Sequence, residues 1–375
     1  MTDPRPSEDA DNTAKRKRLL TLLGLTVVAL ALIALLYWVF WGRLHQSTED
    51  AYVGGNITPV SARIAGTVVS IHADDTDLVK TGSLLIQLDD ADTQLALDEA
   101  RASLAQTLRE VQSLYAQTEQ LKTSWQQAQK DYERVRKLEQ NHSVSTQELQ
   151  HAKVALDNAR AGYDAALART QGTTPTTHPQ VLLAIARLKT AWLAEERTHI
   201  RAPVTGYVAQ RQVQLGQKVQ PGTPLLAIVP LDHLWVDANF KETEIRNIRI
   251  GQSAEVETDL YGSAHTYHGK VVGLAAGTGS AFALLPPQNA TGNWIKVVQR
   301  LPVRISLDPK ELEAHPLRIG LSTQVTVNTS DRDGAILAQA PISTARYHTD
   351  IYQQQNDKLQ QLIDQIIAAN KVATP

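Results

Sequence analysis

The residues that most often carry chemistry are present in this chain, but their spacing fits no catalytic or metal site. The 11 histidines are scattered, without an H-E-x-x-H motif and without a pair four residues apart, the arrangement that binds zinc on one face of a helix. The chain has no cysteine, which excludes thiol nucleophiles, iron–sulfur clusters and disulfides. We therefore predict no enzyme activity, with no catalytic residue, no cofactor and no metal ion.

Glycine-rich and acidic stretches resemble ligand sites only superficially. No basic residue follows Gly273–Ser280 and no helical pattern begins there, so a loop fits this stretch better than a phosphate site. The aspartates of Asp74–Asp77 and Asp89–Asp90 lack the ligand spacing of a calcium loop and are typical of solvated turns. The net charge of −2 argues against a nucleic acid partner, because phosphate binding needs a surplus of lysine and arginine.

The first structural element is an uncharged segment, Leu19–Trp41, whose 23 residues are long enough to cross a bilayer as a helix. Four basic residues precede it and only Arg43 follows closely. The positive-inside rule therefore predicts a cytoplasmic tail over residues 1–18 and places the bulk of the chain outside the cytoplasm. A signal peptide cleaved at Ala29–Ala31 is the alternative. The length of the apolar stretch disfavours it, since cleavage would leave an apolar stub.

Residues 90–199 are predicted to form an antiparallel helical hairpin. The first arm, Asp90–Glu139, has neither proline nor glycine, and its apolar residues repeat every seven positions, as the contact face of a coiled coil requires. They form two rows: Leu97, Leu104, Val111, Trp125 and Tyr132, and Ala100, Leu114, Leu121, Ala128 and Val135. At 1.5 Å per residue, an arm of about 50 residues is a rod of roughly 75 Å. Such a rod suits a spacer or a docking arm.

The return arm begins after a turn at residues 141–144, where Ser145 or Thr146 can cap its first helix. Glycine and prolines interrupt this arm within residues 171–179, and Thr177 is expected to cap a second helical piece. A flexible break or bulge explains the interruption, and an elbow that binds a partner is the alternative. The expected contact face is Leu149, Ala152, Leu156, Ala159, Tyr163, Ala166, Val181, Ile185, Leu188, Trp192 and Glu195.

The segments on either side of the hairpin, residues 60–89 and 200–229, are copies of one another at an offset of 140 residues. Each copy has two turn glycines, which are Gly66 and Gly82 in the first and Gly206 and Gly222 in the second. Neither copy is large enough to bury a core alone, so we expect the two to pair as a split, lipoyl-like β-sandwich. That pairing brings residues 89 and 200 together, which independently requires a hairpin between them.

From Leu234 onward the apolar and polar residues alternate, a pattern typical of half-buried strands. We predict an antiparallel β-barrel over residues 230–330, whose edges oligomerisation would cover. Its further strands are expected at Lys270–Leu274, Trp294–Val298 and Val303–Leu307. A membrane-proximal strand is expected within residues 42–59. The segment 331–375 should end in an amphipathic helix that packs on protein through Leu359, Leu362, Ile366 and Ala369.

The predicted fold is a mixed α and β, elongated and multi-domain chain with a transmembrane helix, a split lipoyl-like sandwich, a coiled-coil hairpin and an antiparallel barrel. This order resembles the periplasmic adaptors of tripartite multidrug efflux pumps, the membrane fusion proteins of the HlyD family, and it is most similar to the EmrA type. Three stretches carry the resemblance, namely Thr48–Val53, Leu234–Thr243 and Pro287–Pro302.

The resemblance implies partners and a docking site. The partners are an inner-membrane transporter of the major facilitator type, a TolC-like outer-membrane channel and further copies of the chain, in an expected hexamer. Adaptors of this family that meet TolC share an arginine, a leucine four residues later and a serine seven after that. Arg134, Leu138 and Ser145 have this spacing at the predicted hairpin tip, so the resemblance assigns channel docking to them. A coincidence on an exposed helix face is the alternative.

The implied activity is the export of drugs across the periplasm, driven by the transporter's proton gradient. Three other functions stay open. An adaptor of an ABC-type (type I) secretion system would usually have a longer coiled coil. A biotin or lipoyl carrier is disfavoured, because the joining tip Leu88–Ala91 has no lysine to modify. The last alternative is a protein that binds small-molecule drugs itself, a function that could coexist with the adaptor role.

Overall fold

The computed structural model describes residues 9–37, 44–282, 296–338, 341 and 343–370. The chain forms two compact units. The first comprises residues 1–57 and 229–346, and the second comprises residues 58–228 and 347–375. The helices are α1 (Asp9–Tyr37), α2 (Ala91–Gln140), α3 (Thr146–Thr170), α4 (Pro179–Glu196), α5 (Glu242–Ile245), α6 (Pro309–Ala314) and α7 (Ile351–Ala369). The strands are β1 (His45–Gly54), β2 (Thr58–Ser61), β3 (Gly66–Ile71), β4 (Leu78–Val79), β5 (Leu84–Leu88), β6 (His199–Arg201), β7 (Gly206–Ala209), β8 (Lys218–Val219), β9 (Pro224–Val229), β10 (Trp235–Lys241), β11 (Ser253–Thr258), β12 (Thr266–Leu274), β13 (Arg300–Leu307) and β14 (Ser322–Asn328).

Helix α1 contains most of the predicted membrane segment. Its large apolar side chains from Leu19 to Ile33 are exposed, by 74% at Leu19 and by 53% at Leu32. Residues 38–41, the end of the predicted segment, lie outside the described residues. Within the described part of the chain, no helix combines the length and the apolar character that crossing a membrane requires.

The first unit contains a closed barrel of six antiparallel strands in the order β1-β10-β13-β12-β11-β14. Side chains alternate between the inside and the outside, as in β11, where Ala254, Val256 and Thr258 are buried and their neighbours are exposed. The interior is filled by apolar side chains, the largest of which are Tyr267 and Phe240. The predicted antiparallel β-barrel is therefore confirmed.

Three details of the barrel differ from expectation. Strand β1, predicted as a membrane-proximal strand outside the barrel range of residues 230–330, closes the barrel by pairing with both β10 and β14. Closure leaves no open edge, so the expected need for oligomerisation to cover barrel edges is wrong. The expected strand Trp294–Val298 is also wrong in its described part, because residues 296–299 are irregular. The pairing of β10 with β13 ends at Arg300, which leaves these residues without a partner strand there, and residues 294 and 295 lie outside the described residues.

The second unit contains two four-stranded sheets, in the orders β2-β9-β7-β4 and β6-β5-β3-β8. Each sheet takes strands from both copies of the 140-residue repeat. Strand β4 of the first copy pairs with β7 of the second through Leu78 and Tyr207, and β3 pairs with β8 through Gly66 and Val219. Apolar residues of both copies form one core, including Leu85 and Leu225 at equivalent repeat positions. The two copies thus pair because neither could bury this core alone.

The hairpin begins directly after β5 and returns directly before β6. Helix α2 has 50 residues and forms the outward arm, and α3 and α4 together form the return arm. Strands β5 and β6 pair with each other, with Ile86 opposite Ile200. This pairing holds the two ends of the hairpin side by side, as the repeat predicts, and the expected long helical hairpin is confirmed.

Candidate functional site

The hairpin arms meet along the face that the heptad pattern predicts. Leu97, Leu104 and Val111 of α2 are buried, and the later row residues are half-buried against α3. Trp125 and Tyr163, predicted on the contact faces of opposite arms, stack with ring centroids 5.4 Å apart and planes 3° apart. The rows therefore fix the register of the two arms from the base of the hairpin, near Ala91, towards its tip.

Helix α7 adds a third helix to the base of the hairpin. Leu359 and Ile363 are 6% and 2% exposed in a core that α7 shares with α2 and α4. Arg109 and Gln112 of α2 donate hydrogen bonds to the side-chain and backbone oxygens of Asn370, at 3.0 and 2.9 Å. The amphipathic helix packs on protein as expected through Leu359, Leu362 and Ile366, but Ala369 is exposed and Ile363 takes the buried position instead. Its partner was not predicted, because no repeat or spacing connects α7 with the hairpin.

The interruption of the return arm lies just beyond the end of α7. Tyr115 of α2, within one turn of the residues that bond to Asn370, has its hydroxyl 2.7 Å from the Thr173 hydroxyl. The return arm is therefore interrupted between Thr170 and Pro179, beside the end of the third helix, α7. This gives the interruption a structural role that needs no partner.

The cap of α4 differs from the expected one. His178 is the N-cap, and its Nδ1 accepts a hydrogen bond from the Gln180 backbone N–H at 3.3 Å. Thr177 was the expected cap, but its hydroxyl lies 2.8 Å from the Thr174 hydroxyl inside the turn. The assignment of Thr177 was therefore wrong by one residue, because local threonine contacts hold that side chain in the turn.

The tip of the hairpin is a short turn between α2 and α3. The backbone N–H of Ser143 donates to the Leu138 carbonyl at 2.9 Å, and His142 has a φ of 61° in the left-handed region. Ser145 Oγ accepts from the Glu148 N–H at 3.1 Å and caps α3, as one of the two expected caps. These bonds satisfy the helix ends within the turn and leave the surrounding side chains free to face outward.

The three predicted docking residues surround this turn and are exposed. The Arg134 side chain is 66% exposed and forms an ion pair with Asp131, one turn earlier on α2. Leu138 is 41% exposed, and Ser145 is exposed although its hydroxyl serves as the cap. The described hydrogen bonds and ion pairs include none between any two of these three residues. They form one end of the hairpin, with a cation and an apolar side chain available for contact.

The four glycines of the repeat occupy two kinds of position. Gly82 and Gly222 have φ values of 85° and 87° in the turns that precede β5 and β9, a conformation that favours glycine. Gly66 and Gly206 are the first residues of β3 and β7. The repeat therefore preserves strand starts as well as turns.

A group of side chains that could hold a metal lies where the hairpin joins the sheets. Asp90, Glu195 and His199 place their ligand atoms within 4.8 Å of one another. Burial raises the pKa of Glu195, and the carboxylates of Glu196 and Asp90 add to this effect. His199 and Arg101 lower the pKa of Glu195 and so partly offset this increase. Because Arg101 already supplies a cation beside these acids, a charge cluster at the joint explains the group without a metal.

Two exposed ion pairs shift pKa values elsewhere in the described part. A hydrogen bond to Glu311, with Oε1 2.8 Å from Nδ1, raises the pKa of His268 on β12. A hydrogen bond from Arg211 lowers the pKa of Asp74, whose carboxylate is 2.6 Å from the Arg211 Nε. Both pairs connect segments that are neighbours in space.

Two family models match the chain. The model described as EMRA, alpha-helical hairpin domain, covers residues 91–198, and the model described as AAEA-like beta-barrel domain covers residues 233–328. The first corresponds to α2, α3 and α4, and the second to the barrel strands from β10 to β14.

Full-length relatives are similar over most of the chain. It is 45% identical to the multidrug export protein EmrA of Escherichia coli (strain K12) over 379 residues, which cover 97% of each chain. It is 46% identical to the fatty acid resistance protein FarA of Neisseria gonorrhoeae over 344 residues, 88% of this chain and 86% of the relative. The solved structure of the periplasmic adaptor protein EmrA matches 76% of this chain and 99% of its own, with 20% identity and a TM-score of 0.39. The extent and level of the sequence identity show that the chain belongs to the EmrA family of membrane fusion proteins.

Proposed function

We propose that this chain is a periplasmic adaptor that links an inner-membrane drug transporter of the major facilitator type to a TolC-like outer-membrane channel, and so supports multidrug export. The observation that carries the proposal is the hairpin. Its outward arm is one helix of 50 residues, about 75 Å long, that ends in an exposed tip. A long arm with a small contact surface at its end suits a connector better than a catalyst, and the EmrA relatives are named multidrug export proteins.

The anchor in this proposal is the segment Leu19–Trp41, which holds the chain in the inner membrane with its amino terminus in the cytoplasm and its bulk in the periplasm. The segment carries no charge, and the described apolar side chains of α1 are exposed rather than packed on the protein. Contact with lipid is more favourable for these apolar side chains than contact with water. This arrangement places the base of the hairpin on the periplasmic side of the inner membrane.

The adaptor acts without catalysis. Its hairpin tip docks on the helical ends of the outer-membrane channel through Arg134, Leu138 and Ser145. Leu138 supplies an apolar contact that is 41% exposed before docking, and the Arg134 guanidinium supplies a charge that can pair with an acidic group on the channel. Ser145 contributes by capping α3 and so fixing the shape of the turn.

Several copies of the adaptor surround the export path, and a hexamer is the expected number. The closed barrel offers no strand edge for this assembly, but both sheets of the second unit are open. The edge strand β4 presents Leu78, 59% exposed, beside Tyr207 of β7, 37% exposed. Contacts between copies through such open edges would bury these side chains.

Export in cells that contain the partner transporter and channel tests the proposal. Deleting Asn141–Val144, or replacing Leu138 with aspartate, should abolish drug resistance while leaving the amount of membrane-inserted protein unchanged. A charge at Leu138 would be left unpaired when the contact is dehydrated, which costs several kcal/mol. The matched control is Leu183→Asp, which changes a 55% exposed leucine of α4 far from the tip. Undiminished export with Leu138→Asp would refute the tip assignment.

A further inference from the structure

A cleft at the base of the hairpin concentrates positive charge. It lies between β2, the corner from α4 to β6 and the first turn of α7, all within the second unit, and its volume is about 130 Å³. Arg63, Arg197 and Arg201 line it, and Glu196 is the one acidic residue among the described lining residues. Three arginines against one glutamate give the lining a charge of +2.

Within the described part of the chain, two of the three guanidinium groups have no carboxylate at ion-pair distance. Arg201 Nε lies 3.5 Å from Glu196 Oε1, and the same oxygen accepts a hydrogen bond from Gln355 at 3.3 Å. Among the described residues, neither Arg63 nor Arg197 has a carboxylate oxygen within 4.0 Å. Arg63 instead lies over the ring of Tyr352, 4.8 Å from its centroid. The unpaired charges therefore belong to two different segments of the chain.

Arg197 carries a hydrogen-bond donor that no described residue satisfies. Its Nε atom is buried and has no hydrogen-bond partner in the described part of the chain. A buried donor on a charged group costs free energy unless an acceptor reaches it, and a carboxylate or phosphate oxygen is the acceptor that guanidinium groups bind best.

The first turn of α7 adds an independent attraction for anions. This helix has 19 residues, and the side chain of its N-cap, Asp350, makes no capping hydrogen bond. Ile351 and Tyr352, at the start of the helix, line the cleft. Asp350 itself does not line the cleft, so the backbone N–H groups of Ile351 and Tyr352 face it together with the arginines and add a smaller attraction for an anion.

We propose that this cleft binds one small oxyanion, a carboxylate or phosphate group, between Arg63, Arg197 and the start of α7. Its volume suits a single such group, since pockets for drug-sized ligands are about 300–1,000 Å³. The bound anion connects β2, the α4–β6 corner and α7. It thereby fastens the carboxy-terminal helix to the base of the hairpin. This inference is independent of the docking role of the tip.

Isothermal titration of the detergent-solubilised full chain tests the site, with inorganic phosphate and benzoate as separate probes at constant ionic strength. We expect saturable binding of at least one probe. Arg63→Gln and Arg197→Gln should each weaken it at least tenfold, since each removes a charged hydrogen-bond donor. Arg187→Gln, which changes an exposed arginine of α4 that does not line the cleft, should bind as the unchanged chain does. Preference for phosphate or for benzoate identifies the natural ligand as a phosphate or as an organic carboxylate.

Hydrogen exchange provides a second measurement on the same samples. The bound probe should slow exchange in the first turn of α7, and Arg63→Gln should remove this protection. Arg63 is exposed, so its replacement leaves the fold intact and keeps the test decisive even where Arg197→Gln fails to fold. The absence of saturable binding for both probes would overturn the proposal. An equal loss of binding in Arg187→Gln would overturn it as well.

Discussion

Replacing Ile363 with alanine should release the carboxy-terminal helix from the base of the hairpin. Ile363 is 2% exposed in the core that α7 shares with α2 and α4, and Leu359 is the other buried residue that α7 contributes to this core. Truncating a buried isoleucine costs about 2–5 kcal/mol. Because α7 is a single helix at the side of the bundle and can shift to fill the space, we expect the lower end, about 2 kcal/mol.

Hydrogen exchange followed by mass spectrometry measures this loss locally. A cost of about 2 kcal/mol raises the open fraction of α7 roughly thirtyfold, so its amides should exchange faster by about that factor. Exchange in α2 near the tip should not change. Gln361→Ala is the matched control, because Gln361 is exposed on the same helix and alanine favours helix formation. Equal protection of α7 in Ile363→Ala and Gln361→Ala would show that α7 does not depend on this core.

Two further predictions concern single hydrogen bonds. Ser145→Ala should lower the stability of the amino-terminal end of α3 by about 1 kcal/mol, seen as faster exchange there, because the Glu148 N–H loses its acceptor. Ser145→Ala should also reduce export, because the cap fixes the shape of the turn, and Ser145→Asp should restore both the cap and export. Export that stays reduced with the aspartate would mean that the hydroxyl itself contacts the channel. The Glu311 hydrogen bond raises the pKa of His268 above its ordinary value of 6.5, so this pair stabilises the barrel fully below that pH and less as the pH rises through the raised pKa. Titration by NMR should show a lower pKa for His268 in Glu311→Gln, and an unchanged value would contradict this cause.

The sequence was most informative where a period or a repeat constrained the structure. Heptad spacing placed Trp125 and Tyr163 on facing arms, and the structure stacks them. The 140-residue offset predicted that the two copies pair, and the sheets take strands from both. These features were predictable because one side-chain period, or one copy of a fold, determines many contacts at once.

The remaining features depend on contacts between segments that share no pattern. Nothing in the spacing of β1 shows that it would close the barrel, since its partners β10 and β14 are far along the chain. The packing of α7 against α2 could not be predicted either, because the two helices are far apart in the sequence and share no pattern. The unpaired Nε of Arg197 becomes visible only when the surrounding elements are in place. Long-range packing of this kind leaves no local signal in composition or period.

Photo-cross-linking at the hairpin tip tests the central claim most directly. A photoreactive phenylalanine analogue replaces Leu138 in the membrane-anchored full chain, in cells that contain the TolC-like channel, and a parallel sample carries it in place of Leu183. We predict a cross-link to the channel from position 138 and none from position 183, because docking is confined to the tip. A channel cross-link that is absent at position 138, or equally strong at position 183, would contradict the adaptor mechanism proposed for this chain.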